Sequence, residues 1–129
     1  MDYLADTVTI IRQFSKSGSI GKEARNILAG TDIGKHRIYI SVLSLAEIMY
    51  LSQKNRIAID LAETIRIINA SDNYRIVDLT PDIVTIADKL DFYELFDRMI
   101  IATAKFLDIP LISPDEAIRQ SNLIPVIWK

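Results

Sequence analysis

The chain reads as an α/β protein: a parallel sheet covered by helices on both faces. Short β-branched or aromatic runs alternate with helix-like segments from one end to the other. Turn and capping residues punctuate that alternation. Half of the 129 residues are hydrophobic, enough apolar material for one ordinary core and too little chain for two. A single domain over residues 1–129 is expected.

The elements follow in order. Asp2-Tyr3-Leu4-Ala5 is too brief for a helix and predicts a strand, which ends at Asp6-Thr7 and leads into a helix-like segment through Phe14. Ser15 to Gly21 predicts a loop, Lys22 to Ala29 a short helix, and Gly30 to Gly34 a turn containing Asp32. Arg37-Ile38-Tyr39-Ile40-Ser41 has the composition of a second strand. A helix is expected from Ser44 to Leu51 and another from about Ile57 to Ala70, whose stripe of Ile57, Leu61, Ile65 and Ile68 has core spacing. Tyr74 to Leu79 reads as a third strand, and Thr80-Pro81 opens a helix with proline at its first position. Arg98 to Leu107 reads as a helix apolar on nearly every side and therefore central. Ile109 to Ile112 predicts a fourth strand, Ser113-Pro114 begins a further helix, and Ile124 to Trp128 predicts a last strand that Pro125 places at a sheet edge.

Composition removes whole classes of chemistry. With no cysteine and one histidine, thiol catalysis, disulfides, cysteine zinc sites and iron–sulfur clusters are excluded. No apolar stretch approaches the roughly 18 residues of a membrane helix, and the start lacks the features of a secretory signal, so a soluble, cytoplasmic protein is expected. The net charge of -2 conceals an asymmetry: residues 1–56 carry eight Lys/Arg against five Asp/Glu, while residues 57–129 carry seven against twelve. A basic face beside an acidic pocket is compatible with that division.

Four carboxylates, Asp6, Glu47, Asp97 and Asp115, sit beside apolar runs, where a charge needs a partner or a task. Each has an ordinary alternative. Asp6 can be an N-cap. Glu47 closes the capping box Ser44-Leu45-Ala46-Glu47, although it is the only charge between Ile40 and Leu51. Asp97 can interact with a helix dipole, and Asp115 can be a surface acid in a first turn that Ser113 and Glu116 already cap. Ligands of such sheets bind beyond the carboxyl ends of the strands, and both Asp6 and Asp115 lie just past a predicted strand. A convergent cluster of these acids would suffer like-charge repulsion unless a cation neutralised it, and all-oxygen ligation suits Mg²⁺ or Mn²⁺ better than zinc or copper.

Other motifs do not hold. Gly18-Ser19-Ile20-Gly21-Lys22-Glu23 lacks both the glycine spacing and the hydroxyl of a phosphate-binding loop. Asp6-Thr7-Val8-Thr9 lacks the second aspartate of the haloacid dehalogenase pattern. His36, between Lys35 and Arg37, is expected to be a solvated surface residue, since no second histidine completes a metal site.

The chain resembles the PIN-domain nucleases and, within them, the VapC-like toxins of prokaryotic toxin–antitoxin pairs. The resemblance lies in Tyr3-Leu4-Ala5-Asp6-Thr7, Ser44-Leu45-Ala46-Glu47-Ile48, Phe96 through Ala104, and Leu111-Ile112-Ser113-Pro114-Asp115. It implies a three-layer α/β/α sandwich and an acidic Mg²⁺ or Mn²⁺ site on which Asp6, Glu47, Asp97 and Asp115 fall. Asp6 and Asp97 are expected as direct ligands, with Glu47 and Asp115 acting through water or on the attacking water. Thr7 and Ser113, the latter where a threonine is more usual, would orient the carboxylates. The implied reaction is hydrolysis of RNA by water that the cation activates. Arg12, Lys16, Lys54 and Arg56 are candidates for the RNA backbone. The resemblance also implies a small antitoxin partner and a homodimer. An RNA-processing nuclease without an antitoxin and a non-catalytic PIN-like scaffold are the alternatives.

Overall fold

Short strands rich in Ile, Leu and Tyr must bury both faces, and this chain supplies helices on each side. The computed structural model describes all 129 residues. Its elements are β1 (Asp2–Ala5), α1 (Thr7–Ser15), α2 (Lys22–Asp32), β2 (Arg37–Ser41), α3 (Val42–Gln53), α4 (Leu61–Ala70), β3 (Tyr74–Val77), α5 (Pro81–Asp88), α6 (Leu95–Leu107), β4 (Leu111–Ile112), α7 (Glu116–Ser121) and β5 (Val126–Ile127). All five strands are parallel, in the order β3-β2-β1-β4-β5. The fold is the expected three-layer α/β/α sandwich.

The pleat divides the core in two. Tyr3 and Ala5 of β1 join Ile38 and Ile40 of β2 and Ile112 of β4 under α1 to α4, through Ile10, Leu28, Ile48 and Ile68. Leu4 and Leu111 face the other way, against Ile100, Ile101 and Ala104 of α6 and Ile118 of α7. In α6 the five residues Ile100 to Ala104 are all buried, as a helix apolar all round requires. Inside it, Thr103 satisfies its hydroxyl by donating to the Met99 carbonyl at 2.8 Å.

This topology positions a site. From β1 the chain moves through β2 to β3 beneath one helical layer, then returns across the sheet to β4 by way of α5 and α6 in the other. The direction of winding therefore reverses between β1 and β4, where ligands of open α/β sheets bind. Ala5 pairs with Ile112, and the Asp6 amide donates to the Ile112 carbonyl at 3.1 Å. Asp6 and Ser113 thus leave the sheet side by side.

Several boundaries differ from those the sequence predicts, each for an identifiable reason. α2 continues through Gly30 to Asp32, because the missing side chain makes room for the His36 ring, which a Cβ there would meet at 2.5 Å. His36 is consequently half-buried rather than fully solvated: its ring also packs edge-on against Tyr3, and its Nδ1 is buried without a partner. Desolvation, followed by the nearby amino terminus and Lys35, lowers its imidazole pKa. α4 begins at Leu61 rather than Ile57, since the Asp60 side chain accepts from the Glu63 amide at 3.0 Å and caps it there. The stripe Ile57, Leu61, Ile65 and Ile68 still packs on the core, leaving Ile67 as the exposed large aliphatic residue of α4. β3, β4 and β5 are shorter than their apolar runs, and β5 lies at the sheet edge as Pro125 predicts.

Candidate metal centre

Four elements deliver one carboxylate each to the reversal point. Asp6 follows β1, Glu47 lies on α3, Asp97 is in the first turn of α6, and Asp115 precedes α7. All four line one pocket of about 350 Å³, with Thr7, Val8, Arg12, Ile100 and Pro114 completing its wall.

Asp6 is the buried member. Its Oδ1 accepts from the Thr9 amide at 2.9 Å and the Thr9 hydroxyl at 2.7 Å, so it caps α1 as the sequence allows. Its Oδ2 accepts from the Ser113 hydroxyl, which in turn accepts from the Asp115 amide at 3.0 Å. Capping α1 and lining the pocket are therefore not alternatives for Asp6. Burial raises the Asp6 pKa despite these three donors.

The capping box expected for Glu47 is absent. Ser41, not Ser44, caps α3, accepting from the Leu43 amide at 3.1 Å, which leaves Ser44 buried inside the helix and Glu47 in its second turn. Freed from the cap, Glu47 accepts from the Thr7 hydroxyl at 2.6 Å. Thr7 also lies 3.0 Å from the Ser44 hydroxyl.

Asp97 and Asp115 depart from expectation in opposite senses. α6 begins three residues early because Glu94 caps it, accepting from the Phe96 and Asp97 amides, so Asp97 is released from capping. Asp115, by contrast, does cap α7, accepting from the Ile118 amide at 3.1 Å, and Ser113 instead serves Asp6.

The electrostatics record the convergence. Asp97 is pushed up to about 7, first by desolvation and then by the charges of Glu94, Asp115, Asp6 and Glu47. No Lys or Arg forms an ion pair with any of the four acids: the two salt bridges, Arg66–Glu63 and Arg119–Glu116, lie on other surfaces. Arg12 borders the pocket but donates to the Ser19 carbonyl at 2.9 Å and lies over the Trp128 ring, 5.8 Å from its centroid. No three of these side chains already surround a single point as metal ligands. The donor set is oxygen alone, with no Lys or Arg paired to it, and its chemistry is that of a site for Mg²⁺ or Mn²⁺.

Of the four basic residues, the structure brings two near the pocket. Arg12 joins Lys16 and Arg25 in an adjoining basic pocket of about 370 Å³. Lys54 instead lies over the Tyr50 ring, and Arg56 is exposed outside the acidic pocket. Sequence reasoning missed Arg25, the Thr9 hydroxyl, and an apolar pocket formed by Ala46, Tyr50, Leu51 and Phe96 beside Glu47. A usable signal existed for the last: Tyr93-Glu94-Leu95-Phe96 places three large apolar residues at or near an exposed helix start.

A family model described as PIN domain matches residues 3–122. A search of the curated proteins finds no significant match. Among solved structures, the chain is similar to VapBC2 from Rickettsia felis bound to a DNA fragment from their promoter, with a TM-score of 0.75, 16% identity and full coverage of both chains. It is also similar to a toxin–antitoxin complex from Klebsiella pneumoniae, with a TM-score of 0.63 and 23% identity over 97% of this chain and 95% of that one. VapBC-1 from nontypeable Haemophilus influenzae gives a TM-score of 0.66 and 16% identity over 98% and 97%. At these identities the likeness is one of fold.

Proposed function

The chain belongs to the PIN domain family, and from that premise we propose that it is a divalent-metal-dependent endoribonuclease and the toxin of a toxin–antitoxin pair. The observation that carries the catalytic half is the pocket itself: four acids from four elements share it, with no basic residue paired to any of them. Asp6 and Asp97 would hold Mg²⁺ or Mn²⁺ directly, with Glu47 and Asp115 acting through water. Bound there, the cation would supply a hydroxide nucleophile near neutral pH and offset charge on the phosphoryl oxygens.

The remaining work belongs to the chain's own side chains. Ser113 and Thr9 fix both oxygens of Asp6, so its carboxylate plane is set before any ligand arrives. Thr7 holds one oxygen of Glu47, a residue that lines the pocket. Without a cation, desolvation and the neighbouring acids push Asp97 up to about 7, a repulsion that a cation bound there would relieve.

The partner half draws on similarity to proteins solved as toxin–antitoxin complexes. A homodimer and a cytoplasmic location go with the same proposal; no helix is long and apolar enough to cross a membrane. A short upstream reading frame encoding a DNA-binding protein would favour the toxin over an RNA-processing nuclease. Cleavage of mixed RNA is the test of the activity: it should require Mg²⁺ or Mn²⁺, stop with EDTA and be lost in Asp6→Asn. Cleavage that survives both would overturn the metal mechanism, and no cleavage under any metal would favour the scaffold reading.

A further inference from the structure

Two hydroxyls and one carboxylate stand in line beside the acidic pocket. The Thr7 Oγ1 lies 2.6 Å from a carboxylate oxygen of Glu47 and 3.0 Å from the Ser44 hydroxyl. Thr7 and Glu47 both line the pocket, whereas Ser44 is not in its wall. Ser44 is fully buried, and Thr7 is the only hydrogen-bond partner of its side chain.

The use made of Ser44 differs from that of other helical hydroxyls in this chain. Thr31, Thr64 and Thr103 each donate to the carbonyl four residues back, at 3.1, 2.9 and 2.8 Å. The residue four before Ser44 is Ile40, which still belongs to β2, so no carbonyl of α3 stands there to accept. Nor does Ser44 cap α3, since Ser41 does. Its hydroxyl crosses instead to α1.

Counting protons gives the line a direction. Each hydroxyl owns one proton, and an ionised carboxylate owns none. If Thr7 donated to Ser44, Glu47 would meet a bare oxygen across 2.6 Å and the buried Ser44 proton would have no acceptor. With Ser44 donating to Thr7 and Thr7 to Glu47, every proton is used.

Resting on the metal reading of the pocket, we infer that Ser44 is a positioning residue of the site: by donating to Thr7 it keeps the Thr7 proton on Glu47, and so orients a carboxylate that it does not touch. The influence of Ser44 therefore passes through Thr7 and ends where Thr7 is absent. A merely structural Ser44 predicts the opposite, effects that add.

A double-mutant cycle on the full chain, read without metal and with it, separates the two. In EDTA, the side-chain carboxyl carbon resonance of Glu47 should move in Ser44→Ala, and should move no further when Ser44→Ala is added to Thr7→Val. In calorimetric titration with Mn²⁺, Ser44→Ala should weaken binding about three- to tenfold, less than the loss of about 10- to 100-fold for a direct partner of a ligand. Thr7→Val with Ser44→Ala should match Thr7→Val alone within about twofold. Ser44→Cys, of similar size and with a weaker donor, supplies the same comparison if Ser44→Ala does not fold. A Glu47 resonance indifferent to Ser44, or one that moves equally in the Thr7→Val background, overturns the inference. Losses of Mn²⁺ affinity that add, in a protein whose wild type binds the ion, overturn it too and leave the metal reading intact. A wild type that binds no Mn²⁺ while the Glu47 resonance follows the expected cycle keeps the line of hydroxyls and overturns the metal reading.

Discussion

Thr7 donates its hydroxyl to Glu47 across 2.6 Å, joining the first turn of α1 to the second turn of α3. One short side chain thereby sets the distance between two walls of the acidic pocket. Thr7→Val keeps the shape and removes the donor, leaving Glu47 free to rotate. Metal affinity or activity should fall about 10- to 100-fold, and Thr7→Ser should restore most of it. Calorimetric titration with Mn²⁺ measures the first quantity directly, and an unchanged affinity in Thr7→Val would remove Thr7 from the site.

Asp6 combines two duties that different substitutions separate. Asn is as good an N-cap as Asp and keeps an oxygen for Thr9, whereas Ala loses the cap altogether. Asp6→Asn and Asp6→Ala should be equally inactive, while Asp6→Ala should be less stable by about 1 kcal/mol in urea denaturation. Equal stability of the two would mean that the hydrogen bonds to Thr9 contribute nothing to α1.

Asp97 makes the metal-free protein sensitive to pH, with a sign opposite to that of a salt-bridged carboxylate. Its folded pKa is raised from 3.8 to about 7. Below the lower value both states are protonated and the group has no effect. Between the two, the unfolded chain releases a proton that the folded chain retains, so stability falls as pH rises, then levels off above about 7. In EDTA, Asp97→Asn should therefore melt at a higher temperature than wild type at pH 8 and at nearly the same temperature at pH 4. A wild-type melting curve with no downward slope across that window would contradict this.

Gly18 holds φ at +72°, a conformation that disfavours any Cβ, and the space beyond it is filled by the Arg12 side chain. Gly18→Ala should cost about 1–2 kcal/mol in chemical denaturation. Displacement of Arg12 should also weaken RNA binding, which anisotropy reads separately.

The strands and the four acids were legible in the sequence, because β-branched runs and isolated charges beside apolar segments are local signals. Cap identity was less so. Ser44 and Ser113 both look like caps by spacing, yet tertiary contacts use Ser44 inside α3 and turn Ser113 toward Asp6, while Ser41 and Asp115 do the capping. The Glu94 cap was missed because glutamate is an uncommon N-cap, so α6 appeared to start at Arg98. Strand order was not legible at all: β1 pairs with both β2 and β4 through contacts more than a hundred residues apart in the second case. The approach of Asp6 to Ser113 depends on that order, as does the charge field that raises Asp97.

The four acids at the sheet's reversal point should together form a divalent-cation site. Crystals of the wild-type protein soaked in Mn²⁺ test it through anomalous diffraction. A peak within about 2.1 Å of carboxylate oxygens from both Asp6 and Asp97, absent from Asp97→Asn crystals, is the predicted result. A peak elsewhere, or none in this pocket at millimolar Mn²⁺, would contradict it.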